Sequence, residues 1–238
     1  MPVLLVFGAR NLGRTIASVF AADGWSAAAV ATSEETIDGF RAALPGALGI
    51  VGDARRESDV QDALAATRER FGSIDLVVNA ITARPRGGSF GGGSLVDATA
   101  DAMDPYVGEL VPAIFNVVRL GGRALAEEGG GTLVQITGGS ARRAIGGRGP
   151  WAAGAFATRA LLQSAALELR ERGVHAALLI VDAMIASEKT AAMLEGREAD
   201  ETTTEQDVAA AVRYLAGQSP RAWTHELQIT PRLDRWVP

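Results

Sequence analysis

Short apolar runs alternate with amphipathic stretches along this chain, and no other feature limits its fold as strongly. The alternation is typical of β-α-β units, in which helices join parallel strands. It predicts strands at 3–7, 26–31, 48–51, 76–79, 132–136, 176–181 and 226–230, and helices at 13–22, 37–43, 57–71, 103–128, 151–172 and 207–216. We therefore expect an α/β, doubly wound fold, with a seven-stranded, mostly parallel sheet and helices on both faces.

Composition narrows the class of protein further. Apolar residues make up 47% of the 238 residues and charged residues 21%, which predicts one globular domain over 1–238 with no membrane span.

The chain has no cysteine and only His175 and His225 as histidines, so we expect no metal site. The net charge is −5 and the arginines are scattered, so nucleic acid is not an expected partner. Pro2 leads directly into the first strand without a signal sequence, which predicts a cytoplasmic protein.

A glycine-bearing turn joins the first strand to the first helix. It comprises Gly8, Arg10, Asn11, Leu12 and Gly13, with Ala9 between the first two. A turn at this place presents backbone amides and a helix N-terminus to a pyrophosphate. The alternative is a turn whose glycines only allow tight packing.

Two further motifs follow in order along the chain. Gly52-Asp53-Ala54 comes after the third strand, and Asn79-Ala80 ends the fourth. Together with the turn, these motifs make the sequence similar to the short-chain dehydrogenase/reductase family over nearly its full length. The resemblance implies a Rossmann fold and a bound dinucleotide, with Asp53 and Ala54 at the adenine and Asn79 and Ala80 beside the cofactor. The alternatives are an exposed turn aspartate and an asparagine that caps a strand end.

The chain departs from the family pattern at the cofactor site. The turn is one residue short, and Asn11 stands where the family has its central glycine, although asparagine tolerates a positive φ. Ile81 replaces the glycine that follows Asn-Ala in the family. Two outcomes stay open, a bound NADP or no bound dinucleotide.

The departures are larger at the catalytic positions of the family. The helix that ends at Arg170 gives a register in which Trp151 takes the place of the catalytic tyrosine and Ala155 that of the lysine. Gly138 stands at the serine and Leu110 at the asparagine. No other register restores the motif, since neither tyrosine has a lysine four residues on and Lys189 is the only lysine.

The remaining hydroxyls near these positions are weak substitutes as proton donors, and they belong to Thr137, Ser140 and Tyr106. Asp182 stands where the family has a glycine before the nicotinamide, and we weigh it as a ligand contact or as a helix cap. Three functions therefore stay open: an oxidoreductase by descent, a non-redox sensor or inactive partner subunit, and a lyase, isomerase or cyclase.

The second strand predicts which dinucleotide is preferred. Ala31 removes the aspartate that binds the ribose hydroxyls in NAD-specific members of the family. Thr32 and Ser33 supply hydroxyl donors, and Arg10 lies where related enzymes carry a basic residue. This predicts NADP rather than NAD. The close negative charge of Glu34, the shortened turn that carries Arg10, and Ile81 stand against it.

Other features concern ligand and assembly. Arg142, Arg143 and Arg148 either attract an anionic small-molecule ligand or belong to a solvated loop. Trp151 is either a stacking platform or an apolar plug, and we favour the plug. Residues 187–204 match the substrate lid of the family. Trp223 and Trp236 favour packing against another subunit, and the family resemblance implies a homo-oligomer, a dimer or tetramer.

Overall fold

The computed structural model describes residues 1–83, 90–187, 190–234 and 236. The strands are β1 Val3–Phe7, β2 Ser26–Ala31, β3 Leu48–Val51, β4 Leu76–Asn79, β5 Gly131–Gly138, β6 Val174–Val181, β7 Ile185–Ala186, β8 Thr203–Thr204 and β9 Glu226–Ile229. The helices are α1 Leu12–Ala22, α2 Glu34–Ala43, α3 Glu57–Phe71, α4 Leu110–Glu127, α5 Gly149–Leu169 and α6 Glu205–Ala216.

Seven strands form one sheet in the order β3-β2-β1-β4-β5-β6-β9, and every neighbouring pair in it is parallel. The sequence prediction of a doubly wound seven-stranded sheet is confirmed, and the sheet is wholly rather than mostly parallel. The chain runs outward from β1 to β3 and then returns to β4 on the other side of β1. Ligands of such sheets bind beyond the carboxyl ends of the strands at this reversal.

The strands divide the core between two faces, because successive side chains of a strand point in opposite directions. In β1, Leu5 and Phe7 pack on the face covered by α3, α4 and α5. Leu4 and Val6 pack on the face covered by α1, α2 and α6. Burial on both faces explains why the central strands read as continuous apolar runs rather than as alternating ones.

The long helix predicted over 103–128 is wrong at its beginning. The structure has a π-helical turn over Asp104–Glu109, and α4 starts only at Leu110. A π-helical turn is a local widening of the backbone and often marks a functional site. Here it directly precedes the position of the family's catalytic asparagine.

Smaller differences have local causes. α2 begins at Glu34, earlier than predicted, because the Ser33 hydroxyl accepts a hydrogen bond from the backbone N–H of Thr36. α6 begins at Glu205 because Thr204 and Asp207 cap it reciprocally. The sequence also gave no sign of the two-residue ladder between β7 and β8, which closes the ends of the segment predicted as a lid. Residues 188 and 189 of that segment lie outside the described part of the chain.

Candidate functional site

The turn after β1 is built around two glycines. Gly8 has φ +99°, and a methyl group added to it would lie 3.0 Å from the backbone carbonyl of Ala80. A methyl group on Gly13 would lie 1.9 Å from the carbonyl oxygen of Gly8. Asn11, with φ 38°, is the one described residue other than glycine with a positive φ. The glycines are thus required by the tight path of the turn. Asn11, with ψ −105°, lies outside the left-handed helical region that asparagine tolerates, so its backbone conformation is strained.

The turn leaves donors for a ligand. Within the described residues, no acceptor takes the backbone N–H of Asn11 or Leu12, which point out of the start of α1. Unpaired amides at a helix N-terminus next to a glycine cradle bind phosphate groups. The residues present therefore fit the pyrophosphate of a dinucleotide.

The other predicted cofactor residues meet at the same edge of the sheet, since β2, β3 and β4 all end there. Asn79 is fully buried, and its side chain donates to Gln135 Oε1 (2.9 Å) and accepts from the Ile81 backbone N–H (3.1 Å). It fixes the end of β4 and the backbone that follows. Thr32 and Arg10 are exposed at this edge, while Glu34 is paired with Arg41 (2.9 Å).

Aromatic side chains occupy the surroundings of the family's catalytic positions. The Trp151 ring lies 3.6 Å from the point where a side chain on Gly138 would begin. Tyr106 meets this ring edge to face with centroids 5.6 Å apart, and Phe90 lies 5.3 Å from it. We call Phe90, Tyr106 and Trp151 the aromatic cluster. Its rings give the corner an apolar lining where the family has a proton donor.

In the part of the chain that the structure describes, the candidate substitute hydroxyls have no activating partner. Tyr106 is 1% exposed, and its hydroxyl accepts a hydrogen bond from the Gly91 backbone N–H (2.9 Å). Among the described residues, no acid or base is hydrogen-bonded to this hydroxyl or to those of Thr137 and Ser140. A weak nucleophile or acid needs such a partner to act near neutral pH. Ala155 is buried and supplies no polar group.

A second set of side chains surrounds Asp182, and we call Arg143, Asp182, Gln228 and Trp236 the Asp182 cluster. Gln228 Nε2 donates to Asp182 Oδ2 (3.1 Å), and Arg143 Nη2 lies 3.8 Å from the same oxygen. The Arg143 guanidinium stacks on the Trp236 ring at 4.2 Å. Arg143 Nε and Gln228 Oε1 are buried without a partner in the described residues. Burial raises the pKa of Asp182, and Arg143 offsets only part of that rise.

Gly139 makes room for this carboxyl. A methyl group on Gly139 would lie 1.9 Å from Asp182 Oδ1. The sequence reading considered Asp182 but missed Gly139 and Gln228. The sequence did hold one sign of this arrangement. Gly139 follows Gly138 directly at the end of a strand, where no predicted turn required a second glycine.

The three arginines of the loop do not converge on one point. Arg142 lies 3.7 Å from Glu226, Arg143 belongs to the Asp182 cluster, and Arg148 lies over the Phe90 ring at 5.1 Å. The two late tryptophans also have partners within the chain. Trp223 stacks on His175 at 5.1 Å, and Trp236 stacks on Arg143. Both rings thus have contacts within the chain and remain partly exposed.

Replacing Asp182 with asparagine should stabilise the protein at neutral pH. Because the pKa of Asp182 is raised on folding, its favourable contribution is complete below about pH 3.8 and is lost as pH rises through the folded-state value. The variant should gain about 1 kcal/mol in unfolding free energy at pH 7, the scale of one poorly bonded buried polar group. Urea unfolding at pH 7 and pH 4 measures this.

The exposed Asp62→Asn variant is the control for that experiment, and it should track the unmodified protein at both pH values. A gain for Asp182→Asn that is equal at both pH values, or a loss at pH 7, would show that Asp182 is a fully compensated ion.

Comparison with known proteins agrees with this geometry. A family model described as enoyl-(acyl carrier protein) reductase matches residues 7–226. The chain is 30% identical to 2-(R)-hydroxypropyl-CoM dehydrogenase of Xanthobacter autotrophicus over 91% of each chain. It is 26% identical to sorbitol dehydrogenase of Cereibacter sphaeroides, over 72% of this chain and 66% of the relative.

Solved structures share the fold over the whole chain. A short-chain dehydrogenase from Rhodopseudomonas palustris superposes with a TM-score of 0.77 at 24% identity, covering 97% of this chain and 98% of the other. Levodione reductase superposes with a TM-score of 0.80 at 22% identity, covering 96% of each. The chain belongs to the short-chain dehydrogenase/reductase family. Membership implies an oxidoreductase lineage and a nicotinamide dinucleotide as the cofactor.

The described residues lack two further features. They contain no group of three or more histidine, cysteine, aspartate or glutamate side chains able to hold a metal ion. No helix among them combines the length and apolar character that crossing a membrane requires.

Proposed function

We propose that this protein binds NADP and a small molecule at the carboxyl edge of the sheet, without the tyrosine-based carbonyl reduction of its family. The observation that carries the proposal is the Trp151 ring packed over Gly138, with Tyr106 and Phe90 against it. An indole N–H is a hydrogen-bond donor but not a useful acid, and Ala155 has no charge to lower a neighbouring pKa. Among the described residues, the corner can hold a flat or apolar ligand but offers no acid to protonate a developing alkoxide.

Different residues of the site would bind different parts of the dinucleotide. The Gly8–Gly13 turn would hold the pyrophosphate, and Arg10 with Thr32 would face the adenosine ribose. When bound, the nicotinamide group supplies or accepts a hydride. The chain's own contribution near it is to exclude water with the aromatic cluster and to place the Asp182 carboxyl at the end of β6.

The preference for NADP rests on charge. Arg10 is exposed at the turn, and Glu34 at the start of α2 pairs with Arg41 (2.9 Å). A 2′-phosphate would therefore meet a guanidinium and hydroxyls with little repulsion.

Titration with NADPH and NADH, followed by tryptophan fluorescence and calorimetry, tests both parts of the proposal. We expect NADPH to bind more tightly, and Arg10→Ala to weaken NADPH by about tenfold, the effect of one charged contact, while leaving NADH nearly unchanged. Arg14→Ala is the matched control, because Arg14 is an exposed cation one turn further along α1. Tighter NADH binding, or an Arg10→Ala variant that keeps full NADPH affinity, would contradict the NADP assignment.

A second function is favoured by a separate observation. Asp182 lies at the end of β6 with its carboxyl hydrogen-bonded to Gln228 (3.1 Å), and burial raises its pKa. A carboxyl placed in this way is a candidate for proton exchange with a ligand, and this observation favours the non-redox enzyme, a lyase, isomerase or cyclase. Proton exchange into a bound ligand in deuterated water, absent in Asp182→Asn, would favour the enzyme.

Assembly and location extend the proposal. Phe115 on α4 and Phe156 on α5 are 46% and 44% exposed, and apolar rings on neighbouring helices favour contact between copies of the chain. A homo-oligomer, dimer or tetramer, and a cytoplasmic location stay predictions. So do an anionic ligand and the use of residues 187–204 as a lid. Sedimentation measures the first of these directly.

A further inference from the structure

The loop after β3 carries the aspartate that the family resemblance assigns to the adenine, and its carboxylate is already engaged. Asp53 Oδ1 accepts from the backbone N–H and the Nε of Arg55, both at 3.0 Å. Asp53 Oδ2 accepts from Arg55 Nε (2.9 Å) and Nη2 (2.5 Å). A carboxylate has about four acceptor positions, and three N–H groups of Arg55, with the Nε–H shared between the two oxygens, occupy most of them. The exocyclic amine of an adenine would have to compete with Arg55 for Asp53.

The rest of the structure holds Arg55 where it is. Its Nη1 donates to Glu109 Oε2 (3.2 Å) in the π-helical turn. The buried Asn116 of α4 donates from Nδ2 to the carbonyl oxygens of Ala54 (3.0 Å) and Arg55 (3.1 Å). Arg55 is thus held at two places: its side chain is paired with Asp53 and Glu109, and its backbone carbonyl accepts a hydrogen bond from Asn116.

Arg55 also brings unused donors to this corner. Of the five guanidinium N–H groups, the contacts to Asp53 and Glu109 take three, and the described residues offer no acceptor for the other two. The side chain is 46% exposed, so a ligand can reach it. The hydrogen bonds from Arg55 lower the pKa of Asp53, which keeps this carboxyl ionised and unable to donate. The loop after β3 therefore presents hydrogen-bond donors from Arg55 at the place where the family presents an acceptor.

The neighbouring arginine, Arg56, has a different partner and therefore provides a matched control for Arg55. Arg56 turns away and pairs with Asp59, with Nε 3.0 Å from each carboxylate oxygen, while Asp59 Oδ2 accepts from the Asp53 backbone N–H (2.8 Å). Arg56 supports the loop without facing the Asp53 carboxylate.

We propose that Arg55, rather than Asp53, reads the purine of the dinucleotide, and that the site prefers a 6-oxopurine to adenine. A 6-oxopurine presents its O6 and N7 acceptors side by side, which matches a guanidinium, whereas adenine places an amine donor at position six. The inference rests on the proposed dinucleotide binding. It defines the base specificity of the same site.

The test compares NADPH with reduced nicotinamide hypoxanthine dinucleotide phosphate, whose purine carries a 6-oxo group and an N1–H in place of the 6-amino group and the N1 acceptor of adenine. Calorimetry should give about fivefold to tenfold tighter binding of the hypoxanthine form by the unmodified protein, the lower end of the discrimination from one well-placed bidentate contact. Arg55→Ala should reverse the preference, because it frees the Asp53 carboxylate for the adenine amine. Arg56→Ala should keep the unmodified protein's preference.

The outcomes separate this inference from the proposal on which it rests. Equal or tighter binding of NADPH by the unmodified protein overturns the role of Arg55 while leaving dinucleotide binding intact. An Arg55→Ala variant that still prefers the hypoxanthine form overturns it as well. Failure of both dinucleotides to bind refutes the proposed function and the inference together.

Discussion

Replacing Gly13 with alanine is expected to abolish dinucleotide binding and to lower the unfolding free energy by about 3 kcal/mol, the upper range for overpacking a rigid site. The added methyl group would lie 1.9 Å from the Gly8 carbonyl oxygen and 3.1 Å from Val6 Cγ1. Both neighbours belong to a buried strand and its tight turn, so neither can move cheaply. Urea unfolding and NADPH titration of the variant measure the two effects, with at least a hundredfold loss of affinity expected, or about 2.7 kcal/mol.

Gly39→Ala is the matched control. Gly39 lies within α2 with open space around the added methyl group, and its φ is not positive. Alanine favours a helix over glycine by about 1 kcal/mol, so this variant should be as stable as the unmodified protein or more so. A Gly13→Ala variant with unchanged stability and affinity would show that the turn relaxes and that its path is not required.

The second large effect concerns the carbonyl reduction that is typical of the family. We expect this protein to lack it, and we expect that restoring the family's catalytic residues will not recover it. We expect NADPH oxidation with simple ketones and aldehydes to stay at least a thousandfold below typical enzyme rates of about 1 to 1,000 per second. The triple variant Gly138→Ser, Trp151→Tyr, Ala155→Lys should remain below the same limit. NADPH absorbance with a panel of carbonyl compounds measures both proteins.

The physical reason lies in the surroundings of the three positions. Ala155 is 5% exposed, so a lysine there would be a buried charge without a carboxylate or ribose to stabilise it before the cofactor binds. Leu110 offers no amide at the start of α4, and Val181-Asp182 replaces the turn after β6. A catalytic group needs supporting contacts to hold its geometry. Trp151→Phe, which keeps the apolar lining, is the inactive control, and efficient turnover by the triple variant would show that the supporting contacts survive.

The fold was accessible from the sequence because its signals are local. The apolar run Val3–Phe7, the glycine turn after it and the repeated strand-helix spacing each belong to a few consecutive residues. The π-helical turn was not accessible, since Pro105 and Gly108 disfavour a regular helix without specifying a widened turn, and the turn packs against α5. Gly154 is part of that packing, because a methyl group on it would lie 2.4 Å from the Tyr106 carbonyl oxygen.

The candidate site was accessible only in part, for the same reason. The glycine turn and the substituted catalytic positions could be read by register along the chain. The engagement of Asp53 by Arg55, two residues apart, was within reach of a sequence reading, but the choice of rotamer depends on Glu109, 54 residues away. The Asp182 cluster joins β5, β6 and β9, whose pairing no local pattern specifies.

The close approach of Gly139 to Asp182 constrains how this protein diverged from its relatives. A side chain at position 139 and a carboxyl at 182 in the observed rotamer claim the same volume, so the two substitutions are coupled and their order matters. With a side chain at 139, the Asp182 carboxyl would have to adopt another rotamer and give up its contacts with Gln228 and Arg143. Among descendants that keep the carboxyl in this place, position 139 is closed to every residue but glycine. A return to the family's glycine at 182 would remove this steric conflict, whereas a new side chain at 139 would create it.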